Sequence, residues 1–267
     1  MSEGNSKLEQ IITYMKAHWP SQVKPEWQVG INDYSRILPI VLKDLTKDKT
    51  RSRNLVRIAG LSGSGKTTQL LPATEAYFDS KNLSPVLVAA RVFVDYHPYH
   101  QEIKEFYGEE NLRKMTDEFS TIMLFLAITE IIKNGYDIIL DVTLLDPTME
   151  EILQGMLKAA KYNQILLMIA ISPVITEKFL SSRAWRHTKE TEAEFIRATK
   201  KSLDYYVEKH PDTHIIIWSV YDKPPVFDGK IKDCLETYEK YSVLETLPQK
   251  DDDERREAKI DYLKNYD

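Results

Sequence analysis

Apolar residues recur at helical spacing over Ser6–His18 and Tyr34–Leu45, and the turn-prone stretch SQVKPEWQVGIND separates the two runs. Past the charged segment Lys47–Arg53 the pattern changes. Leu55–Ala59 is a short apolar run that predicts a strand, a glycine-rich turn follows, and helical spacing resumes from Lys66 to Phe78, with Pro72 placed to kink it. Val86–Ala90 predicts a second strand. Glu102–Asn134 is mostly helical, with a break near Gly108, and Tyr136–Val142 is a third strand whose unbroken apolar character marks it as buried. A helix over Met149–Tyr162 precedes a fourth strand at Ile165–Ile171. Helices over Thr176–Arg186 and Glu192–Val207 flank a polar, basic connection, and His214–Val220 is a fifth strand. Lys230–Tyr241 predicts a helix. Asp252–Tyr266 predicts another, charged almost all round, which reads as a solvated tail with the alternative that it docks a partner.

Strands therefore alternate with helices through most of the chain. Such a pattern needs crossover connections, and a mostly parallel five-stranded sheet with helices on both faces is the economical solution. The expected organisation is one α/β domain over 1–267, with 1–53 a helical extension, 54–243 the core and 244–267 the charged helix. Composition narrows the class. With 42% hydrophobic and 29% charged residues among 267, a disordered chain is excluded and a sizeable core is available. The single cysteine, Cys234, excludes an internal disulfide framework or a cysteine-cluster zinc site and fits a reducing compartment. The longest apolar run, around Ile165–Ile171, is too short to span a bilayer, and the start MSEGNSKLEQ lacks the apolar core of a signal peptide. A cytoplasmic protein with no membrane partner is expected. The net charge of −5 and the lack of a basic–aromatic stripe argue against nucleic acid as a partner.

The sharpest chemical signal is Gly60-Leu-Ser62-Gly63-Ser64-Gly65-Lys66-Thr67, which satisfies G-x-x-x-x-G-K-[ST] with a strand before it and a helix after it. The glycines let backbone N–H groups approach phosphate oxygens, and the helix N-terminus adds partial positive charge. Lys66 can reach the β- and γ-phosphates, and the Thr67 hydroxyl can ligate Mg²⁺. Thr68 completes the candidate nucleotide contacts. A chance match in a Gly/Ser loop is the competing reading, and the flanking elements weigh against it. A P-loop of this kind implies ATP and Mg²⁺ as cofactors but leaves the reaction open, since kinases, switches and mechanical ATPases share it. Asp141 closes the third strand, where a carboxylate lies beside the phosphate site; it could hold Mg²⁺ or contact substrate, or simply begin the next turn.

Three further pieces carry a family resemblance: His97-Pro98-Tyr99 after the second strand, Gly135-Tyr136-Asp137 before the third, and Asp141-Val142-Thr143 at its end. In this order behind the P-loop they resemble the zeta-toxin family of P-loop kinases, from about Val56 to Ile171 and more loosely to Tyr241. The resemblance implies ATP-dependent phosphorylation of a sugar-nucleotide hydroxyl, typically of UDP-N-acetylglucosamine, and an antitoxin partner. Departures concentrate on the acceptor side. Arg91 stands where the family carries an aspartate general base, and Asp95 is the nearest carboxylate. The family's strand-end glutamate becomes Asp141, a substrate-binding glutamate falls on Phe125, and an arginine falls on Leu145. Either Asp95 or Asp141 is left to orient the acceptor hydroxyl. His97 reads as a structural hydrogen-bonding residue.

Arg183 and Arg186, three apart in SSRAWRHTK, share a helix face and are candidate lid arginines for stabilising the transferring phosphoryl group; Arg197 is a third. A solvated basic face is the plain alternative. Tyr221-Asp222 after the fifth strand reads as a turn. The sequence thus points to a P-loop kinase acting on a small-molecule hydroxyl. The alternatives are a kinase for a nucleoside, dinucleotide or simple sugar, and a catalytically weak ATP-binding module that acts through protein contacts.

Overall fold

The apolar run ahead of the glycine-rich turn forms β1 (Asn54–Ala59), and from Leu55 onward every residue of it is buried. The structure, a computed structural model, describes residues 3–18, 20–61, 63–142, 147–180, 189–245 and 252–266. The remaining strands are β2 (Val86–Val88), β3 (Ile138–Asp141), β4 (Asn163–Ala170), β5 (His214–Ser219) and β6 (Phe227–Lys230). The helices in chain order are α1 (Glu3–His18), α2 (Ile31–Leu45), α3 (Leu71–Ser80), α4 (His100–Tyr107), α5 (Glu109–Met115), α6 (Asp117–Lys133), α7 (Pro147–Ala159), α8 (Pro173–Leu180), α9 (Lys189–Lys209), α10 (Leu235–Ser242) and α11 (Asp252–Lys264).

The sheet has the order β2-β3-β1-β4-β5-β6. β1 runs parallel to β3 and β4, and β5 runs parallel to β4. The expected five-stranded sheet is corrected by β6, which pairs antiparallel with β5 and matches Ile217 to Phe227 and His214 to Lys230. Its FDGK sequence is too short and too polar to announce a strand, and its half-buried alternation becomes visible only beside β5. The helix expected from Lys230 consequently begins at Leu235, after a 3₁₀ turn over Ile231–Asp233. Pro72 lies in the first turn of α3, where its missing N–H costs nothing, and a single π-helical turn over Lys66–Leu70 precedes it.

The chain groups into two compact units, Met1–Lys47 with Leu87–Asn134 and Asp48–Val86 with Gly135–Asp267. Within the first, Tyr34 of α2 stacks on Phe119 of α6 at 5.5 Å between ring centroids, and Lys16 of α1 pairs with the buried Glu118 at 3.0 Å. Within the second, apolar side chains of β1, β4 and β5 pack against Leu203 and Tyr206 of α9. Among the described residues no helix is long and apolar enough to cross a membrane.

The reading of 252–266 as a solvated tail is overturned. α11 packs along α3 and against the π turn, with Arg255, Lys259 and Leu263 buried. Tyr262 meets Trp218 edge-on at 5.8 Å, and Tyr266 meets Tyr77 at 6.5 Å. The helical charge pattern conceals this face because two of its three buried members, Arg255 and Lys259, are long cations whose stems are apolar. Burial, with Arg255 adding to it, pushes the Lys259 ammonium down from 10.5 to about 8. An unfolded chain keeps that proton up to its ordinary pKa, so between about pH 8 and 9 the unfolded state binds more protons and stability rises with pH, by on the order of 1 kcal/mol. Above about pH 9 the rise is offset, because burial pushes the Cys234 thiol up to about 11, and above about pH 10 it reverses, because Tyr262 and Tyr266 are held above their ordinary value by burial and Asp228 while the unfolded chain ionises them. Urea unfolding at pH 7.5, 8.5 and 9 will show the rise, and Lys259→Met will flatten it.

Candidate nucleotide site

β1 and β3 lie side by side, yet the connection leaving β1 runs outward to β2 while the one leaving β3 crosses to β4 on the other side. Their carboxyl ends therefore border the crevice in which open α/β sheets bind ligands. Ile58 is in register with Asp141, so Gly60 and Asp141 emerge at the same edge of the sheet. The loop from Gly60 to Thr68 and Asp141 all lie in the unit Asp48–Val86 with Gly135–Asp267.

Gly60 sits at φ 131°, and a Cβ built there would meet Ser64 Oγ at 3.1 Å and the Ile169 carbonyl oxygen at 3.3 Å. Side chains are excluded by backbone angle and by β4 together. Gly65 is left-handed at φ 94° and ends the loop where the π turn begins. The Lys66 ammonium donates to the carbonyls of Gly60 at 2.7 Å and Leu61 at 2.9 Å, which places its charge across the loop. Ser64 N–H closes the turn onto Leu61 O at 3.2 Å. Thr67 is exposed, and the Thr68 hydroxyl donates to Gly65 O at 3.4 Å. Ser62 lies outside the described residues. Asp141 is 7% exposed at the end of β3. The oxygen donors Thr67 and Asp141 are of the type Mg²⁺ prefers, so the residues present fit that ion. Among the described residues no group of three or more His, Cys, Asp and Glu side chains converges as a self-sufficient metal site.

The Gly135-Tyr136-Asp137 piece has a scaffolding role at the opposite, amino end of β3. The buried Asp137 carboxylate accepts from Ser52 N at 3.1 Å, Asn54 N at 2.9 Å and Asn54 Nδ2 at 2.9 Å, and Tyr136 O accepts from Tyr162 Oη at 2.7 Å. Sequence reasoning missed a second buried set. Arg57 of β1 forms a bidentate pair with Glu150 of α7 at 2.5 and 2.6 Å. Tyr206 of α9 donates to Glu150 at 2.9 Å and accepts from Arg57 at 3.1 Å and from Gln154 Nε2 at 2.7 Å. Burial alone would lower the Arg57 pKa, but the Glu150 charge more than offsets it and holds the guanidinium above its ordinary value. An arginine inside an otherwise apolar strand was the available signal. Ser219 Oγ accepts from the N–H groups of Tyr221 and Asp222 at 3.1 and 3.0 Å, which makes the segment after β5 a tight turn.

The other candidates belong to the unit Met1–Lys47 with Leu87–Asn134. Arg91 and Asp95 lie on a 3₁₀ segment over Ala90–Tyr96. The Asp95 side chain is 85% exposed and pairs with His100 Nε2 at 3.2 Å. His97 is buried edge-on against Phe119, its Nδ1 accepts Tyr99 N–H at 3.2 Å, and burial with His100 nearby pushes it down to about 4, so it is neutral at pH 7. Phe125 is buried in α6. Arg183 and Arg186 lie outside the described residues, and Arg197 is exposed on α9.

Comparison with known proteins places this geometry. Nothing among curated proteins matches the chain. The toxin–antitoxin system PezAT of Streptococcus pneumoniae has a similar solved structure, with 18% identity, a TM-score of 0.60 and coverage of 89% of this chain and 98% of that one. A structure of the AvrRxo1-ORF1:AvrRxo1-ORF2 complex with sulphate ions matches at 13% identity and TM-score 0.53 over 100% of this chain and 91% of that one. A second, with ATP, matches at 14% and 0.53 over 88% and 85%. These similarities establish a shared fold. The Zeta toxin family model matches residues 41–218, from α2 through β5 and across the whole phosphate loop. With more than half its length matched by that model, the chain belongs to the Zeta toxin family and is a kinase-like P-loop enzyme.

Proposed function

We propose that this chain is an ATP-dependent phosphotransferase that moves the γ-phosphoryl group onto a hydroxyl of a small metabolite, a sugar nucleotide such as UDP-N-acetylglucosamine, and that an antitoxin protein restrains it. The observation that carries the reading is the phosphate loop with Lys66 at the carboxyl end of β1, at the same sheet edge as Asp141. Family membership supports the kinase chemistry; the solved relatives add a complex determined with ATP and a toxin–antitoxin system. Loop N–H groups of 60–67 and Lys66 would hold the triphosphate. Thr67 and Asp141 would hold Mg²⁺, which neutralises charge on the phosphates when bound. Asp141 or Asp95 would accept the proton of the attacking hydroxyl, and Arg183 with Arg186 would stabilise the charge on the transferring group.

Calorimetry with MgATP tests the donor side. Lys66→Ala is expected to weaken binding about 10–100-fold, the equivalent of charge-assisted hydrogen bonds worth about 1.5–3 kcal/mol. Radiolabelled ATP with a panel of sugar nucleotides, nucleosides and simple sugars tests the acceptor side. Label transfer that survives Lys66→Ala would defeat the assignment. Tight MgATP binding with no transfer to any acceptor would favour the binding-module reading, which Arg91 at the family's aspartate position supports.

A further inference from the structure

Lys66–Leu70 forms a π-helical turn, closed by Leu71 N–H onto Lys66 O, immediately behind the phosphate loop. Such a turn is rare and depends on surrounding structure to persist. α11 packs against this turn and along α3, all within one unit. The side chain that joins them is Gln69, which is 8% exposed. Its Cγ and Cδ lie within 3.6 Å of where a Cβ on Gly65 would stand, so it fills the space beside the left-handed residue that closes the loop. Its Nε2 donates to Asp252 Oδ1 at 3.4 Å, at the first residue of α11. Asp252 is itself held by Arg255 Nη2 at 2.8 Å, and Arg255 is buried one turn along the helix.

We propose that α11 is a positioning clasp for the phosphate loop: Asp252, fixed by Arg255, holds Gln69 against Gly65 and keeps the loop in its binding conformation. Gln69 and Asp252 are positioning residues, acting on the nucleotide through Gly65 and Lys66. The inference rests on the loop being the nucleotide site proposed above. It also makes the linkage reciprocal, because a helix that favours the formed loop must itself be favoured by whatever binds that loop.

The test is a charge cycle read by MgATP calorimetry on the full chain. Gln69→Glu sets a second carboxylate against Asp252 and is expected to lower affinity about tenfold, within the usual range for coupled sites. Adding Asp252→Asn restores an amide–carboxylate pair in the opposite sense and is expected to return affinity to within about threefold of the parent. A merely structural role would not produce rescue by a second substitution at an exposed position. Equal affinities for parent, single and double variants would overturn the clasp, as would a double variant no better than the single. Hydrogen exchange on the unaltered chain needs no variant to fold: MgATP is expected to slow exchange across α11, and unchanged α11 exchange at saturating MgATP would also overturn the clasp. A parent chain that takes up no MgATP overturns the nucleotide site and the clasp together, whereas a binding parent with an inert cycle overturns the clasp alone.

Discussion

Glu150→Ala will destabilise the protein by about 3–5 kcal/mol, a large share of the 5–15 kcal/mol that holds a domain together. Arg57 is 3% exposed and Glu150 fully buried, so removing the carboxylate takes the bidentate Glu150 charge away from a guanidinium held in the core. The surroundings cannot repair it. The adjoining cavity, lined by Gln154, Gln164 and Tyr206, has a volume of about 10 Å³, room for roughly one water. Replacing the whole set by apolar groups, Arg57→Met with Glu150→Leu and Tyr206→Phe, is expected to leave stability within about 2 kcal/mol of the parent or to raise it. Gln154 would then retain its 3.0 Å bond to Gln164. Urea denaturation of the three chains decides the matter. A Glu150→Ala loss below about 1 kcal/mol would show that the ion pair is solvated in solution.

Asp141→Asn is expected to lower phosphoryl transfer by about 10²–10⁴-fold, the usual contribution of a positioned general base, with any accompanying loss of MgATP affinity measuring its share in holding Mg²⁺. The effect follows from where the carboxylate stands. It is nearly buried at the carboxyl end of β3, beside the strand that feeds the loop, and the change to Asn conserves its size. Asp95→Asn is the companion measurement, made on a carboxylate that is 85% exposed and paired with His100. A loss confined to Asp95→Asn, with Asp141→Asn near the parent rate, would reassign the base. Single-turnover rates separate this effect from any change in binding.

What a one-dimensional pattern can carry is local. The runs that became β1, β3, β4 and β5 are continuous apolar stretches buried on both faces, so their period and their neighbours were enough to identify them. The phosphate loop was legible for the same reason. Its glycines, lysine and threonine act through their own backbone and adjacent residues, so spacing alone encodes the geometry. The pieces that resemble the zeta-toxin family were equally visible, although the structure gives Gly135-Tyr136-Asp137 a clamping role at the far end of β3.

Long-range partnerships were not legible. β6 is a strand only because β5 offers it an unpaired edge. Glu150 and Tyr206 lie 93 and 149 residues from Arg57, and only the fold brings an arginine in a strand to a carboxylate and a phenol on two helices. α11 looked like a solvated helix because charge counts ignore methylene stems and the aromatic floor that Trp218 and Tyr77 provide. The amino-acid order alone determined most of the strands and helices and where the glycine-rich loop lies, since these depend on neighbours a few residues away. Which charges are buried, and which distant helix braces the loop, was decided by tertiary packing, because those energies belong to pairs that exist only once the chain has folded.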